Sequence, residues 1–358
     1  MPIDPAELER IRSKCTRWLA WHGHRPPTQM LTELPAEIAP DRYGEGGVVE
    51  ELESRLAELL GKPAAAFFVS GTMAQQIALR IHADRRSTRT VIFHPTCHID
   101  QHEGRAFERL HGLVGRPTGD PFQVLTLEAL DAVAEAPAAL VLELPQREIG
   151  GQLPDWEDLT AQVDWARGRG AAVHLDGARL WQCQEAYGRS LDEIAGLFDT
   201  AYVSFYKDLG AFSGSGLAGP EDLIAEAKEW RLRHGGTLFA MWPYAAMALA
   251  CLEARLPRMK EYRDHALAIA MAMGGLEGAS VVPDPPQTSM FHLHLHVPAE
   301  VFETNVIRVA EEEGIWTWAS TFPSTQPDWQ VVELSVGDAT LEFEPEEARR
   351  VIARLISV

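Results

Sequence analysis

Lysine is scarce in this chain: 358 residues contain only Lys14, Lys62, Lys207, Lys228 and Lys260. Cysteine is as sparse, and Cys15, Cys97, Cys183 and Cys251 are widely scattered with no CxxC pair. That spacing argues against a disulfide framework and fits the reduced thiols of a cytosolic protein. Basic charge is also lacking. The net charge is -20, and an acidic surface repels a phosphate backbone, so no nucleic-acid partner is expected. No long apolar run exists either. The longest stretch, around Met241 to Leu252, is too short for a bilayer and is interrupted by Pro243. The N-terminal MPIDPAELERIRSKC places acids where a secretion signal needs bases. The expectation is a cytoplasmic protein with no membrane partner. Its 46% hydrophobic and 23% charged residues can build a large domain and a smaller one.

No repeat or low-complexity linker interrupts the chain. Residues 5–21 read as a helix, with Leu8, Ile11, Cys15, Trp18 and Leu19 near helical spacing. From about residue 48, helices alternate with short apolar strands at 64–70, 90–94, 138–144, 171–176 and 200–206. Continuous apolar strands of this kind belong in a sheet covered by helices on both faces. The pattern predicts an α/β fold with a mainly parallel sheet, followed by a smaller α+β C-terminal domain. The expected divisions are an N-terminal helical arm (1–30), a large domain (31–245) and a small domain (246–358).

Four lysines lie in charged or loop-like surroundings. Lys207 instead follows the apolar strand TAYVSFY and precedes a glycine-rich segment. A lysine at such a strand end is either an ordinary edge residue or a desolvated amine with a lowered pKa, fit for covalent chemistry with a carbonyl. Asp176 closes the strand AAVHLD and precedes Gly177-Ala178-Arg179. It either caps the next helix or presents a carboxylate to a ligand at the sheet edge. Ser70-Gly71-Thr72 joins a strand to a helix, where free N–H groups either receive a plain cap or cradle a phosphate. Each motif alone is weak. Their conjunction at the ends of successive strands is far more specific.

With Asp41-Arg42-Tyr43-Gly44 and the ELESRLAELLGK helix, these stretches resemble the L-threonine aldolase and β-eliminating lyase branch of fold-type-I enzymes dependent on pyridoxal 5'-phosphate (PLP). The resemblance spans most of residues 41–220 in order and spacing. It implies a fold-type-I PLP-dependent transferase-like large domain, its mixed sheet mainly parallel. It implies Lys207 as the Schiff-base lysine and Asp176 against the pyridine nitrogen, with Ser70, Gly71 and Thr72 on the phosphate. His98 would stack on the ring, and Arg179 would lie near the phenolic oxygen and the substrate carboxylate. Tyr43 would be near the site. The partner would be a small-molecule amino acid, and the assembly a homotetramer built from dimers, or a homodimer, with sites at subunit interfaces.

Substrate handling departs from the family. Ala20-Trp21-His22 stands in place of its Ser-Asp-Thr segment, and Glu143-Leu144-Pro145-Gln146 in place of Glu-Asn-Thr-His. Phe239 and the neighbourhood of Trp329 lack expected arginines. Glu143 and Gln146 become substrate-side candidates. Arg179, Arg25, Arg147 or Arg231 is left to hold the carboxylate, and His98, Glu103 or a water to act as base. The reaction implied is retro-aldol cleavage of a β-hydroxy-α-amino acid to glycine and an aldehyde. The alternatives are β-elimination, decarboxylation, transamination or carbon–carbon bond formation on another amino acid, and a catalytically degenerate PLP-binding regulator. No metal site is expected. His292, His294 and His296 alternate on a strand, which predicts a solvated face. His94, His98 and His102 are four apart, but Pro95 breaks one continuous helix there. Trp316, Trp318 and Trp329 are candidates for an aromatic substrate pocket.

Overall fold

The computed structural model describes residues 5–324 and 326–357. Its first helix ends at Arg12, and a two-residue strand, β1 (Arg17–Trp18), follows. The helix expected over 5–21 is therefore half as long. Cross-chain pairing overrides the spacing. β1 pairs in parallel with a strand at Ile315–Trp316, and Leu19 N donates to the Trp316 carbonyl. Ile11 and Cys15 pack with Ala310 and Trp316 in one apolar cluster.

The chain divides into two compact units, one of Pro27–Arg258 and one joining residues up to Pro26 with those from Met259 onward. The expected arm of residues 1–30 is thus not a separate element, and its β1 belongs to the C-terminal unit. The expected break at 245/246 falls inside the helix Trp242–Arg255, and the division lies after Arg258 instead.

The larger unit is built on seven strands: β2 (Ala64–Phe68), β3 (Thr90–Phe93), β4 (Val114–Pro117), β5 (Ala139–Glu143), β6 (Ala172–Gly177), β7 (Thr200–Ser204) and β8 (Ser215–Gly219). Their order is β2-β8-β7-β6-β5-β3-β4. Neighbours are parallel except at β8, which is antiparallel to both β2 and β7. β2 therefore points the same way as β7. β6 and β7 are buried along their whole length, which explains their unbroken apolar sequence. The helix Gly71–Arg86 buries Ala74, Ile77, Ala78 and Ile81 in one cluster and Leu79 with Ala83 in another, so it is clamped between two cores. β8 escapes the sequence pattern because its SGLAG carries no β-branched residue.

The smaller unit holds β9 (Ala279–Val282), β10 (Met290–His296), β11 (Ile315–Trp316) and β12 (Trp329–Ser335). β10 is the centre of an antiparallel sheet with β9 and β12. The alternating histidines do not form the solvated face their spacing predicts. His292 is buried against the Phe322 ring, His294 is half-buried, and His296 is the exposed one.

Candidate active site

Five parallel strands discharge at one edge of the large sheet, where open α/β sheets bind ligands. β2 leads into Ser70-Gly71-Thr72, and β3 leads through Pro95 to His98. β5 ends on Glu143, β6 carries Asp176 in its last turn of pairing, and β7 leads to Lys207. Residues distant in sequence meet because each lies at, or a few residues beyond, the same end of a strand.

Asp176 has no exposed surface. Its Oδ2 accepts from Gln75 Nε2, and its Oδ1 accepts from the Ala178 amide at 3.2 Å. Gln75 sits on the first turns of the helix that starts at Gly71. That helix has sixteen residues, and Ser70 at its N-cap makes no side-chain cap bond. Its first-turn N–H groups have no partners within the helix, which suits an anion. Gly71 is required for packing: a Cβ there would lie 2.1 Å from the Tyr202 hydroxyl.

Lys207 is 7% exposed. Burial, and then the charge of Arg179, pushes its pKa below that of an ordinary lysine. That favours the neutral, nucleophilic amine. Arg179 is itself buried, with Nε 3.7 Å from Asp208 Oδ1, and Asp208 also accepts from Gln182 Nε2 at 2.8 Å.

A second acidic group faces Asp176. Glu143 is its register partner across β5 and β6. Glu143 accepts from the backbone N–H of His98 and of Arg147 and from Gln146 Nε2, each at 3.2 Å. Burial, and next the charge of Asp176, pushes its pKa up to about 7. Ligand atoms of Cys97, Glu143 and Asp176 lie within 4.8 Å of one another. Burial and those carboxylates hold the Cys97 thiol protonated, which makes it a poor metal ligand. His98 Nδ1 lies 3.0 Å from Glu103 Oε1. The Glu103 side chain is 3% exposed, and desolvation raises its pKa.

The other candidates have plainer surroundings. Gln146 Nε2 also donates to Thr96 Oγ1 at 3.1 Å. Tyr43 is half exposed, has a φ of 55°, and packs edge-on against Phe239. Arg231 is committed elsewhere, donating to the Phe67 carbonyl and pairing with Glu53. Arg147 pairs with Glu148. His94 bonds Thr96 and the carbonyls of Asp120 and Gln123, so it does not join His98 and His102. In the smaller unit, Trp316 belongs to the N-terminal cluster, and Trp329 stacks on His296. Trp318 donates to the Glu333 carbonyl and lines a cavity of about 240 Å³ with Phe302, Val306 and Gln330. Sequence reasoning overlooked Gln75 and Tyr202. Gln75 was legible only as one more polar residue of a helix.

The family model for β-eliminating lyases matches residues 27–296. A solved structure from Exiguobacterium sp. 255-15, labelled an aromatic amino acid β-eliminating lyase/threonine aldolase, is 38% identical. It superposes with a TM-score of 0.90 over 97% of this chain and 99% of its own. One from Listeria monocytogenes EGD-E, labelled an L-allo-threonine aldolase, is 36% identical with a TM-score of 0.91, covering 98% of each chain. Low-specificity L-threonine aldolase 1 of Arabidopsis thaliana is 27% identical over 81% of this chain and 84% of its own length. The fold is that of the fold-type-I PLP-dependent enzymes. With three quarters of its length inside the family match and its chemistry gathered at one sheet edge, the chain belongs to the β-eliminating lyase family.

Proposed function

We propose that this chain is a PLP-dependent, threonine-aldolase-like lyase that cleaves a β-hydroxy-α-amino acid into glycine and an aldehyde. The observation that carries the reading is the pairing of a buried, pKa-lowered Lys207 with the fully buried carboxylate of Asp176 at the ends of adjacent strands. That donor set fits the cofactor. It offers an amine for an aldehyde, an acid for a ring nitrogen and a helix N-terminus for a phosphate.

Lys207 would hold the aldehyde carbon and Asp176 the ring nitrogen, with Ser70, Gly71 and Thr72 around the phosphate and His98 against the ring face. Bound there, PLP supplies an electron-withdrawing ring that accommodates the electron pair released at the substrate's α-carbon. Arg179, buried beside Lys207, is the cation that would orient the substrate carboxylate. The His98–Glu103 pair is the base for the β-hydroxyl proton: Glu103 holds Nδ1, leaving Nε2 as the atom that exchanges the proton. Glu143 and Gln146 order this side of the site, because Glu143 anchors the backbone of His98. Tyr43 is exposed beside Phe239, which leaves its ring available to a second copy in a homodimer or a dimer of dimers acting in the cytoplasm.

The test is purified protein incubated with PLP and a panel of β-hydroxy amino acids that includes threonine and phenylserine. The expected result is a PLP absorption band that Lys207→Ala loses, together with glycine and aldehyde release. Release of pyruvate with ammonia, of an amine or of a keto acid in place of glycine would overturn the reaction. A colourless protein unaffected by added PLP would overturn the cofactor.

A further inference from the structure

Behind Asp176 a file of buried side chains runs away from the site. Gln75 Oε1 lies 2.8 Å from His174 Nε2, His174 Nδ1 lies 2.8 Å from Thr200 Oγ1, and Thr200 Oγ1 lies 2.8 Å from His82 Nε2. His82 is 2% exposed, and Gln75, His174, Thr200 and Asp176 are fully buried. The arrangement is built into the fold. Gln75 and His82 are seven residues apart on one helix, so they share a face. His174 and Asp176 alternate on β6, and Thr200 is the register partner of His174 on β7.

We propose that His82, Thr200, His174 and Gln75 form a one-way hydrogen-bond relay whose task is to position the Asp176 carboxylate toward the ring nitrogen of the cofactor. The proposal rests on the reading of Asp176 given above, and it adds four positioning residues that do not touch the reacting atoms.

The direction of the relay follows from counting donors. A carboxylate only accepts, so Gln75 must turn its NH2 toward Asp176 and its carbonyl oxygen toward His174. That oxygen requires a proton on His174 Nε2. Burial lowers the pKa of both His174 and His82 to about 3, so each ring is neutral and carries one N–H. His174 Nδ1 is then bare and accepts the Thr200 hydroxyl proton. The Thr200 oxygen in turn accepts from His82 Nε2–H.

The far end agrees with this direction, because His82 Nδ1 is buried and has no hydrogen-bond partner among the described residues. In this direction the orphan is a lone pair. In the reverse direction it would be a buried N–H, and the Gln75 carbonyl oxygen would face the carboxylate of Asp176. With Gln75 on Oδ2 and the Ala178 amide on Oδ1, the carboxylate has one orientation. Every donor in the file points toward it.

The experiment uses the full chain with and without PLP, read by nitrogen-15 NMR of the imidazole nitrogens and by PLP titration. The relay requires both rings to be neutral Nε2–H tautomers that do not titrate between about pH 5 and 9. Thr200→Val keeps the shape but removes the hydroxyl. It should release the His174 tautomer and weaken PLP binding about three- to tenfold, and Thr200→Ser should restore both. His174 protonated on Nδ1, or PLP bound equally by Thr200→Val and the parent chain, overturns the relay alone. A parent chain that binds no PLP overturns the cofactor reading, and the relay's task with it, whatever the tautomers.

Discussion

Glu143 and Asp176 are direct register partners on β5 and β6, so two carboxylates stand side by side at the edge where the strands end. Like charges so placed resist simultaneous ionisation. Burial and the charge of Asp176 push Glu143 up to about 7. Glu143 is therefore the group expected to exchange a proton near neutrality. In the parent enzyme, the pH profile of kcat/KM should carry an ionisation near 7. Glu143→Gln should remove that limb while PLP still binds. An unchanged profile in the variant would assign the limb to another group.

His98 Nδ1 and Glu103 Oε1 lie within hydrogen-bond distance of each other. His98→Phe keeps a flat ring for stacking but cannot carry a proton. The expected outcome is a fall in kcat of about 10²- to 10⁴-fold with PLP affinity largely retained. Glu103→Gln should cause a smaller fall, because it leaves the imidazole in place. Stopped-flow aldehyde release and PLP titration separate the two effects.

Gly71 and Tyr202 form a packing pair. A Cβ at 71 would sit 2.1 Å from the Tyr202 hydroxyl and 2.9 Å from its ring carbon Cζ. Gly71→Ala should therefore lower stability by about 1–3 kcal/mol, the usual cost of overpacking. Tyr202→Phe in the same chain should recover part of that loss, since the nearest atom is gone and the ring remains. Denaturant melts of the four proteins form a double-mutant cycle, and strict additivity would reject the contact.

His111 is buried with neither ring nitrogen hydrogen-bonded among the described residues, and it packs against Trp230 and His234. Burial and the nearby His234 depress its pKa from 6.5 to about 4. Between those values the unfolded chain binds the proton and the folded chain does not. This group's contribution to stability is therefore complete above about 6.5 and is lost as pH falls toward 4. His111→Phe keeps the ring and cannot be protonated. It should raise stability by about 1 kcal/mol at neutral pH and by more at pH 5, measured by urea unfolding.

The unbroken apolar runs of β6 and β7 announced a helix-covered parallel sheet, because strands buried on both faces leave no polar alternation. Helix against strand was less legible at the N-terminus. Cys15, Trp18 and Leu19 keep helical spacing, yet backbone pairing with Ile315–Trp316 places the chain in a strand. Local periodicity cannot register a partner about 300 residues away.

Lys207, Asp176 and the Ser70–Thr72 turn stood out in the sequence because an amine, an acid and a strand-to-helix junction each occupy a strand end, a position visible in one dimension. Which groups tune them was hidden. Gln75 reads as a polar residue on a helix and His174 as a histidine within a strand, while Glu143 drew notice only as a substrate-side candidate. Only the side-by-side placement of β5, β6, β7 and the Gly71–Arg86 helix turns them into two neighbouring carboxylates and a hydrogen-bond file. Hydrogen bonds and charge coupling act over a few ångströms of space, whatever the separation along the chain. The sequence determined the strands β2, β3, β5, β6 and β7 and the residues at their ends; the tertiary structure added β4 and β8 and decided which side chains meet at that edge.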